Sequence, residues 1–506
     1  MTLVGRLLDQ AAATPEAVAL VAGDGTELSY GELQRQVLSV RRALVDAGLS
    51  PGDRVLFSVR PSPEAVVLAL GVVAAGGAVV FADPGAGPEM FTARLRLARP
   101  RWSAAEAVLY AGSRLRPVRA YARRHGLLLP ELGSLEVPGQ GKLRHIYVGR
   151  WLAGVPRGAL PFTKLVSGRA EAAESGSGDP DAEAAVIFTS GTTEHPRAVV
   201  HTQSSLAAAL DLFRERLPLG PGDVVHTDQL MLGLPTLISG ARWSMPPLSC
   251  SPADFARLLE ERGATHTFCV PVHLAEILEV RPTLPAALRY VLLGAAPAPP
   301  AILRRALSAA PSAKVLSVYA MTEILPVAIA SAQEKLAHTE SWAGGDLLGT
   351  PLVKARIAPD DGELYLSGPN LCRGYLGDAP MTELPTGDLA RFDADGRLIL
   401  TGRKKDMLIR GKFNLYPGLY EPAIAAVDGV TEAAIVGVPD PETGDEEVVL
   451  AIVGDADPER LRRRLPDLID HDALPDRIVV LPELPRSGRS RKLDRDRLRD
   501  LVRGTP

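Results

Sequence analysis

From Ala65 to Ala82 the chain carries no charged residue, and how that stretch is read decides the fold. A membrane-spanning helix needs about 20 mostly apolar residues in a row. This run contains Gly71, Gly76 and Gly77 and shifts from alanine, valine and leucine to Ala78-Val79-Val80-Phe81. That order predicts a helix, a glycine turn and a buried strand, with no membrane span. The same alternation surrounds it: residues 6–13 and 30–47 have the spacing of amphipathic helices, and residues 17–21 and 54–58 read as strands. Helices and strands in alternation predict an α/β fold with a mostly parallel sheet.

The pattern weakens between residues 133 and 181, ending in a Gly/Ser-rich stretch at 171–180 with the composition of a surface linker. It then resumes, with helices at 255–262, 271–278 and 301–310 and strands at 267–270, 290–293 and 314–318. Beyond Gly362 short strands take over, at 363–366, 389–392 and 397–400, the last two joined by a hairpin turn at Asp395-Gly396. From Met407 a further pattern follows: a helix at 420–427, strands at 433–438 and 448–453, a helix at 458–465 and a strand at 477–480. A chain of 506 residues is too long for one core. The expected class is therefore α/β: a large N-terminal domain, residues 1–404, of parallel-sheet α/β subdomains plus a small β-rich subdomain, then a small α+β C-terminal domain, residues 405–506.

Five segments offer chemistry. Residues Thr189-Ser190-Gly191-Thr192-Thr193-Glu194-His195-Pro196-Arg197 follow a strand-like run; their hydroxyls, glycine and arginine suit an anion such as phosphate. Taken alone the run is more often a polar turn. In Tyr319-Ala320-Met321-Thr322-Glu323 the ring could stack on a base and the carboxylate could hold a hard cation such as Mg2+, although such a pair at a strand end is usually structural. Asp388, in Thr386-Gly387-Asp388, could accept two ribose hydroxyl protons. Two basic runs complete the set, Gly402-Arg403-Lys404-Lys405 and the tail around Lys492.

In this order and spacing the five segments resemble the adenylate-forming superfamily of acyl-CoA synthetases, peptide-synthetase adenylation domains, luciferases and β-lactone synthetases. The resemblance covers essentially the whole chain. It implies activation of a small-molecule carboxylic acid with MgATP to an acyl-adenylate and pyrophosphate, and a C-terminal domain that moves to complete a second half-reaction. It further implies that Thr189, Ser190, Gly191, Thr192, Thr193 and Arg197 hold the β- and γ-phosphates, and that Gly294, Ala295, Ala296 and Pro297 flank the adenine. Tyr319 would stack on that base, Thr322 would contact phosphate, Glu323 would bind magnesium, and Asp388 and Arg403 would bind the ribose. Lys405 would be the hinge and Lys492 the lysine that bridges carboxylate and α-phosphate, with Arg489 and Arg491 as its nearest rivals. His226, Gly233 and Leu234 fall where the family places its acyl pocket. The cofactors implied are ATP and Mg2+, with CoA or a carrier-protein pantetheine as acceptor.

Departures from the pattern leave the outcome open. Glu194 stands at a usual glycine of the phosphate loop. Aligned without gaps, Lys412 stands where the family's glycine lines the pantetheine passage, so it could block a thiol, point to solvent or bind CoA phosphates. Residues 81–87 and 319–327 look more like β-lactone synthetases, which adenylate a β-hydroxy acid and let its hydroxyl close the ring. Thioester formation, such closure, and a degenerate adenylate-binding scaffold without catalysis are the three readings.

Other classes have less support. A net charge of −4 gives no electrostatic case for nucleic acid. Cys250, Cys269 and Cys372 are far apart and form no Cys-x-x-Cys pair, so neither zinc nor a disulfide framework is expected. With no basic-then-apolar order in residues 1–10, a cytoplasmic location is expected. His266 and His273, beside a buried strand, are expected to be packed or capping residues.

Overall fold

The computed structural model describes residues 2–82, 88–124, 129–137, 140–168, 178–189, 196–296, 298, 300–340, 346–360, 362–403, 408–411, 413–415, 417, 420–425, 427–487 and 492–503. Two large sheets dominate. The first runs, edge to edge, Gly374–Tyr375, Arg197–Thr202, Glu183–Thr189, Ala78–Phe81, Arg54–Ser58, Trp102–Glu106, Arg144–Val148 and Leu160–Pro161. It is parallel from Glu183–Thr189 onward and antiparallel at the other edge.

The second sheet has a parallel half, Val18–Val21, Arg242–Ser244, Val224–His226, His266–Cys269, Tyr290–Leu293 and Lys314–Met321. It continues without a break into an antiparallel half, Ile324–Ser331, Asp346–Pro351, Leu398–Arg403, Leu384–Phe392, Glu363–Ser367 and Lys354–Ile357. The β-rich part read from sequence is thus the antiparallel end of the same sheet.

The run from Ala65 to Ala82 folds as read. A helix at Pro63–Ala74 starts with Pro63 in its first turn and Ser62 accepting a hydrogen bond from the Ala65 amide; Gly76 turns the chain at φ +82, and Ala78–Phe81 is a mostly buried strand. Gly71 lets this helix press on the helix Tyr30–Asp46, since a Cβ there would lie 2.4 Å from Val40 Cγ1. These helices and Leu3–Ala13 share one core with residues of both sheets, among them Leu20, Val55, Val79, Ile146 and Trp243. Burying a large aliphatic side chain is worth about 1.5–3 kcal/mol, so this core fixes how the two sheets meet. Among the described residues no helix is long and apolar enough to cross a membrane.

The C-terminal part has its own three-stranded sheet, Val430–Pro439, Glu446–Gly454 and Arg477–Val480. A cluster around Leu450 and Leu461 forms one apolar core and a cluster around Val449 and Leu498 the other. Arg305 of the larger part pairs with Glu442 of this one.

Candidate active site

Parallel strands end where backbone amides and side chains are free to meet a ligand, and the candidate residues gather at such ends. Cys269, Leu293 and Ser317 stand in register across three neighbouring strands. After Leu293 the chain passes Gly294, whose missing Cβ spares Phe268 (2.9 Å), and Ala295, at φ +66. The strand Lys314–Met321 then turns sharply at Thr322 and Glu323 into Ile324–Ser331.

That turn is held from two sides. The buried His201 donates from Nε2 to the Thr322 carbonyl at 2.7 Å, and its Nδ1 meets the Ser205 hydroxyl at 3.1 Å. Burial lowers the His201 pKa, which keeps the ring neutral in this tautomer. The Cys372 amide donates to the Glu323 carbonyl at 2.8 Å, and the buried Asn370 donates to the carbonyls of Leu325 and Pro326 at 2.9 and 3.0 Å.

Both half-buried side chains of the turn are thereby presented at the strand ends. The Glu323 carboxylate accepts a hydrogen bond from the Tyr375 hydroxyl at 2.8 Å. Burial, then the negative charge of Glu323, raises the Tyr375 pKa, so the phenol stays a donor. Over the ring of Tyr375 lies the Arg197 guanidinium, 4.1 Å from its centroid. Arg197 opens the strand Arg197–Thr202 and is the cross-strand partner of Thr189, so the phosphate-type loop leaves and re-enters the sheet at one place. Ser190, Gly191, Thr192, Thr193 and Glu194 lie outside the described residues, as do Pro297, Lys405 and Lys412.

A second cluster forms nearby. The Tyr319 hydroxyl donates to Asp388 Oδ2 at 2.6 Å. Asp388 is buried, its amide donating to Thr386 Oγ1 at 3.0 Å while the Gly387 amide donates to Glu363 Oε1 at 2.9 Å. Across the hairpin Asp388 stands opposite Arg403. The two residues assigned to the ribose by resemblance are thus neighbours in register. Lys492 lies in a short hairpin, opposite Ser487.

The three residues expected at the acyl pocket are packed against neighbours. His226 is fully buried, with Nδ1 3.0 Å from the Ser244 hydroxyl and its ring 4.7 Å from that of Phe255. Gly233 is a packing residue: a Cβ there would lie 2.2 Å from the ring of Trp243, whose indole donates to the Thr227 carbonyl at 2.8 Å. Leu234 packs against the large core. Of the three, the His226 side chain is fully buried. Gly233→Ala is expected to destabilise the fold by about 1–3 kcal/mol through overpacking, read as a lower urea midpoint.

A cleft of about 480 Å³ instead opens between the larger part and the C-terminal part. Asp228, Gln229, Phe268, Cys269 and His273 line one wall; Arg410, Gly411, Phe413 and His471 belong to the other. Gly411, at φ +55, lines this cleft one residue before Lys412. His273 therefore faces a cleft, although its ring also packs edge-on to Phe255 at 4.9 Å. His266 is packed as expected, stacked on Tyr290 at 4.8 Å. All three cysteines are free thiols, with burial pushing Cys269 up to about 12 and Cys372 up to about 11.

Sequence reasoning passed over Tyr375 and the contacts of His201. The Tyr375–Glu323 contact spans 52 residues, and no local spacing reports it.

This arrangement, strand-end clusters over a two-sheet core with a small C-terminal sheet, is the fold of the adenylate-forming enzymes. The chain belongs to the AMP-binding enzyme family, which residues 7–376 match, with residues 420–492 matching the AMP-binding enzyme C-terminal domain. It is 28% identical to the feruloyl-CoA synthase of an Amycolatopsis species, over 88% of this chain and 87% of that one. It is 28% identical to the sulfoacetate–CoA ligase of Cupriavidus necator, over 98% and 97%. Its structure resembles that of the amide bond synthetase McbA from Marinactinospora thermotolerans, with a TM-score of 0.79, 25% identity and 99% coverage of both chains.

Proposed function

We propose that this protein activates a carboxylic acid with ATP to an acyl-adenylate, releasing pyrophosphate, and then passes the acyl group to a thiol of CoA or of a carrier-protein pantetheine. The observation that carries this reading is the meeting of Arg197, Tyr375 and Glu323 beside the linked pair Tyr319 and Asp388, in a member of the AMP-binding enzyme family. Arg197 would neutralise the departing phosphates, Thr189 and Thr322 would hydrogen-bond them, Tyr319 would hold the adenine, and Asp388 with Arg403 the ribose. A carboxylate approaching a phosphate brings anion against anion, so fixed cations are what lower this barrier.

The donor set fits magnesium. Among the described residues no group of three or more His, Cys, Asp and Glu side chains could hold a metal by itself. A lone hard carboxylate suits Mg2+, which is usually held by one or two carboxylates together with substrate phosphates. Bound there, the ion would neutralise phosphate charge; Glu323 would hold it. The acceptor would enter by the cleft past Gly411 and Phe413, and the CoA ligases among the relatives support a thiol.

The test is pyrophosphate exchange by purified protein with MgATP and a panel of acids. Exchange is expected, and binding of ATP without exchange for any acid would favour a non-catalytic scaffold. Glu323→Gln is expected to lower exchange at limiting Mg2+ about tenfold, because charge-assisted contacts are roughly twice as strong as neutral ones. Adding CoA, a pantetheine thiol or a simple amine to turnover then identifies the acceptor by mass. An amide or a ring-closed product in place of a thioester would overturn the second half of the proposal.

A further inference from the structure

The geometry points to Tyr375 as a positioning residue that sets the Glu323 carboxylate for a divalent cation and parks Arg197 beside it, tying the phosphate loop to the metal ligand. This inference rests on the proposed ATP site and deepens it. Three contacts carry it. The Tyr375 hydroxyl donates to Oε1 of Glu323 at 2.8 Å; among the described residues the other carboxylate oxygen has no hydrogen-bond partner, which leaves it for a cation. The Arg197 guanidinium lies 4.1 Å from the centroid of the Tyr375 ring and, among the described residues, pairs with no carboxylate. Tyr375 is itself held by strand pairing, opposite Val199 and two residues along from Arg197.

One side chain therefore touches two groups of opposite charge by two different means, its hydroxyl the anion and its ring face the cation. Without this spacer Arg197 and Glu323 could pair directly, and each would then be unavailable to its ligand. With it, the carboxylate is oriented and the guanidinium is kept within reach of a polyphosphate. Hydrogen bonds to a ligating carboxylate commonly change metal affinity by about 10–100-fold when removed.

Two variants separate the roles. Tyr375→Phe keeps the ring under Arg197 and removes the donor to Glu323; Tyr375→Leu removes both. Calorimetry with ATP alone and with ATP plus Mg2+ gives a readout independent of turnover. In Tyr375→Phe, affinity for ATP alone should stay at the wild-type value while the gain from Mg2+ falls about tenfold, and the Mg2+ needed for half-maximal exchange should rise by a similar factor. Tyr375→Leu should also weaken binding of ATP alone.

A Tyr375→Phe protein with the wild-type gain from Mg2+ overturns the inference. So does an equal loss with and without Mg2+, which would mark Tyr375 as a packing residue. Wild-type protein that binds no MgATP would overturn the proposed function itself, so the two failures are distinguishable. Thermal melts of both variants report whether the fold is kept.

Discussion

Lys492→Ala is expected to lower the rate of acyl-adenylate formation by about 10²–10³-fold, the usual cost of removing one preorganised charge from a transition state, while leaving affinity for MgATP near its wild-type value. As the acid's carboxylate meets the α-phosphate, negative charge accumulates between two anions, and a cation aimed there stabilises the transition state more than the bound nucleotide. Lys492 lies in the strand Lys492–Leu493, opposite Arg486–Ser487, in a hairpin tied down by Arg486 to Glu432 and by Arg495 to Glu421. Its backbone is held by this pairing; Arg489 and Arg491 lie outside the described residues. Single-turnover assays decide the point: the first half-reaction from acid and MgATP should fail in Lys492→Ala, and the second, begun from a synthetic acyl-adenylate, should proceed. Full exchange activity in the variant would remove the assignment and direct attention to the two arginines.

The alternating half of the fold was legible because period and punctuation agree there. The strands at 54–58 and 290–293 and the hairpin turn at Asp395-Gly396 lie where pattern places them. Several strands went unread, two of them for plain physical reasons. Ile324–Ser331 carries Pro326, and proline argues against a strand unless the strand is bent or edged. Arg144–Val148 begins with Arg and His inside a stretch of weak periodicity, and its place in the sheet is set by pairing with Trp102–Glu106. The site divides the same way. Motifs name Thr189, Tyr319, Glu323 and Asp388, and the fold brings Tyr319 to Asp388 and Glu323 to Tyr375. They do not report the packing of His226 on Phe255 or of Gly233 on Trp243, which comes from elsewhere in the chain. They also fail for Tyr375, whose partners are far away in sequence.

Buried histidines lead to the other large effect. Stability should fall by at least about 4 kcal/mol as pH drops from 8 to 5, a large part of the 5–15 kcal/mol typical of folded domains. Burial, and next the positive charge of Arg262, lowers the His226 pKa from 6.5 to about 3, and burial lowers that of His266 to about 4. In each ring Nδ1 meets a hydroxyl, of Ser244 and Thr265 respectively, while among the described residues Nε2 is buried without a partner. Protonation would place an unpaired charge there. The sign follows: below pH 6.5 the unfolded chain takes up protons that the folded one refuses, so stability is full above 6.5 and is lost as pH falls toward 4 and 3. Each ring forgoes about 1.4 kcal/mol per pH unit in that window, or about 2 kcal/mol by pH 5. Carboxylates held low by partners, such as Glu183 beside Arg54 and Arg373, act only below the ordinary carboxylate range and so do not account for a loss between 6.5 and 5. Urea midpoints measured from pH 8 to 5 should show the loss. In His226→Asn the slope should be shallower whatever the variant's starting stability, the remainder coming from His266, His201 and His145, which burial also lowers, and an unchanged slope would mean that His226 is protonated as readily in the fold as outside it.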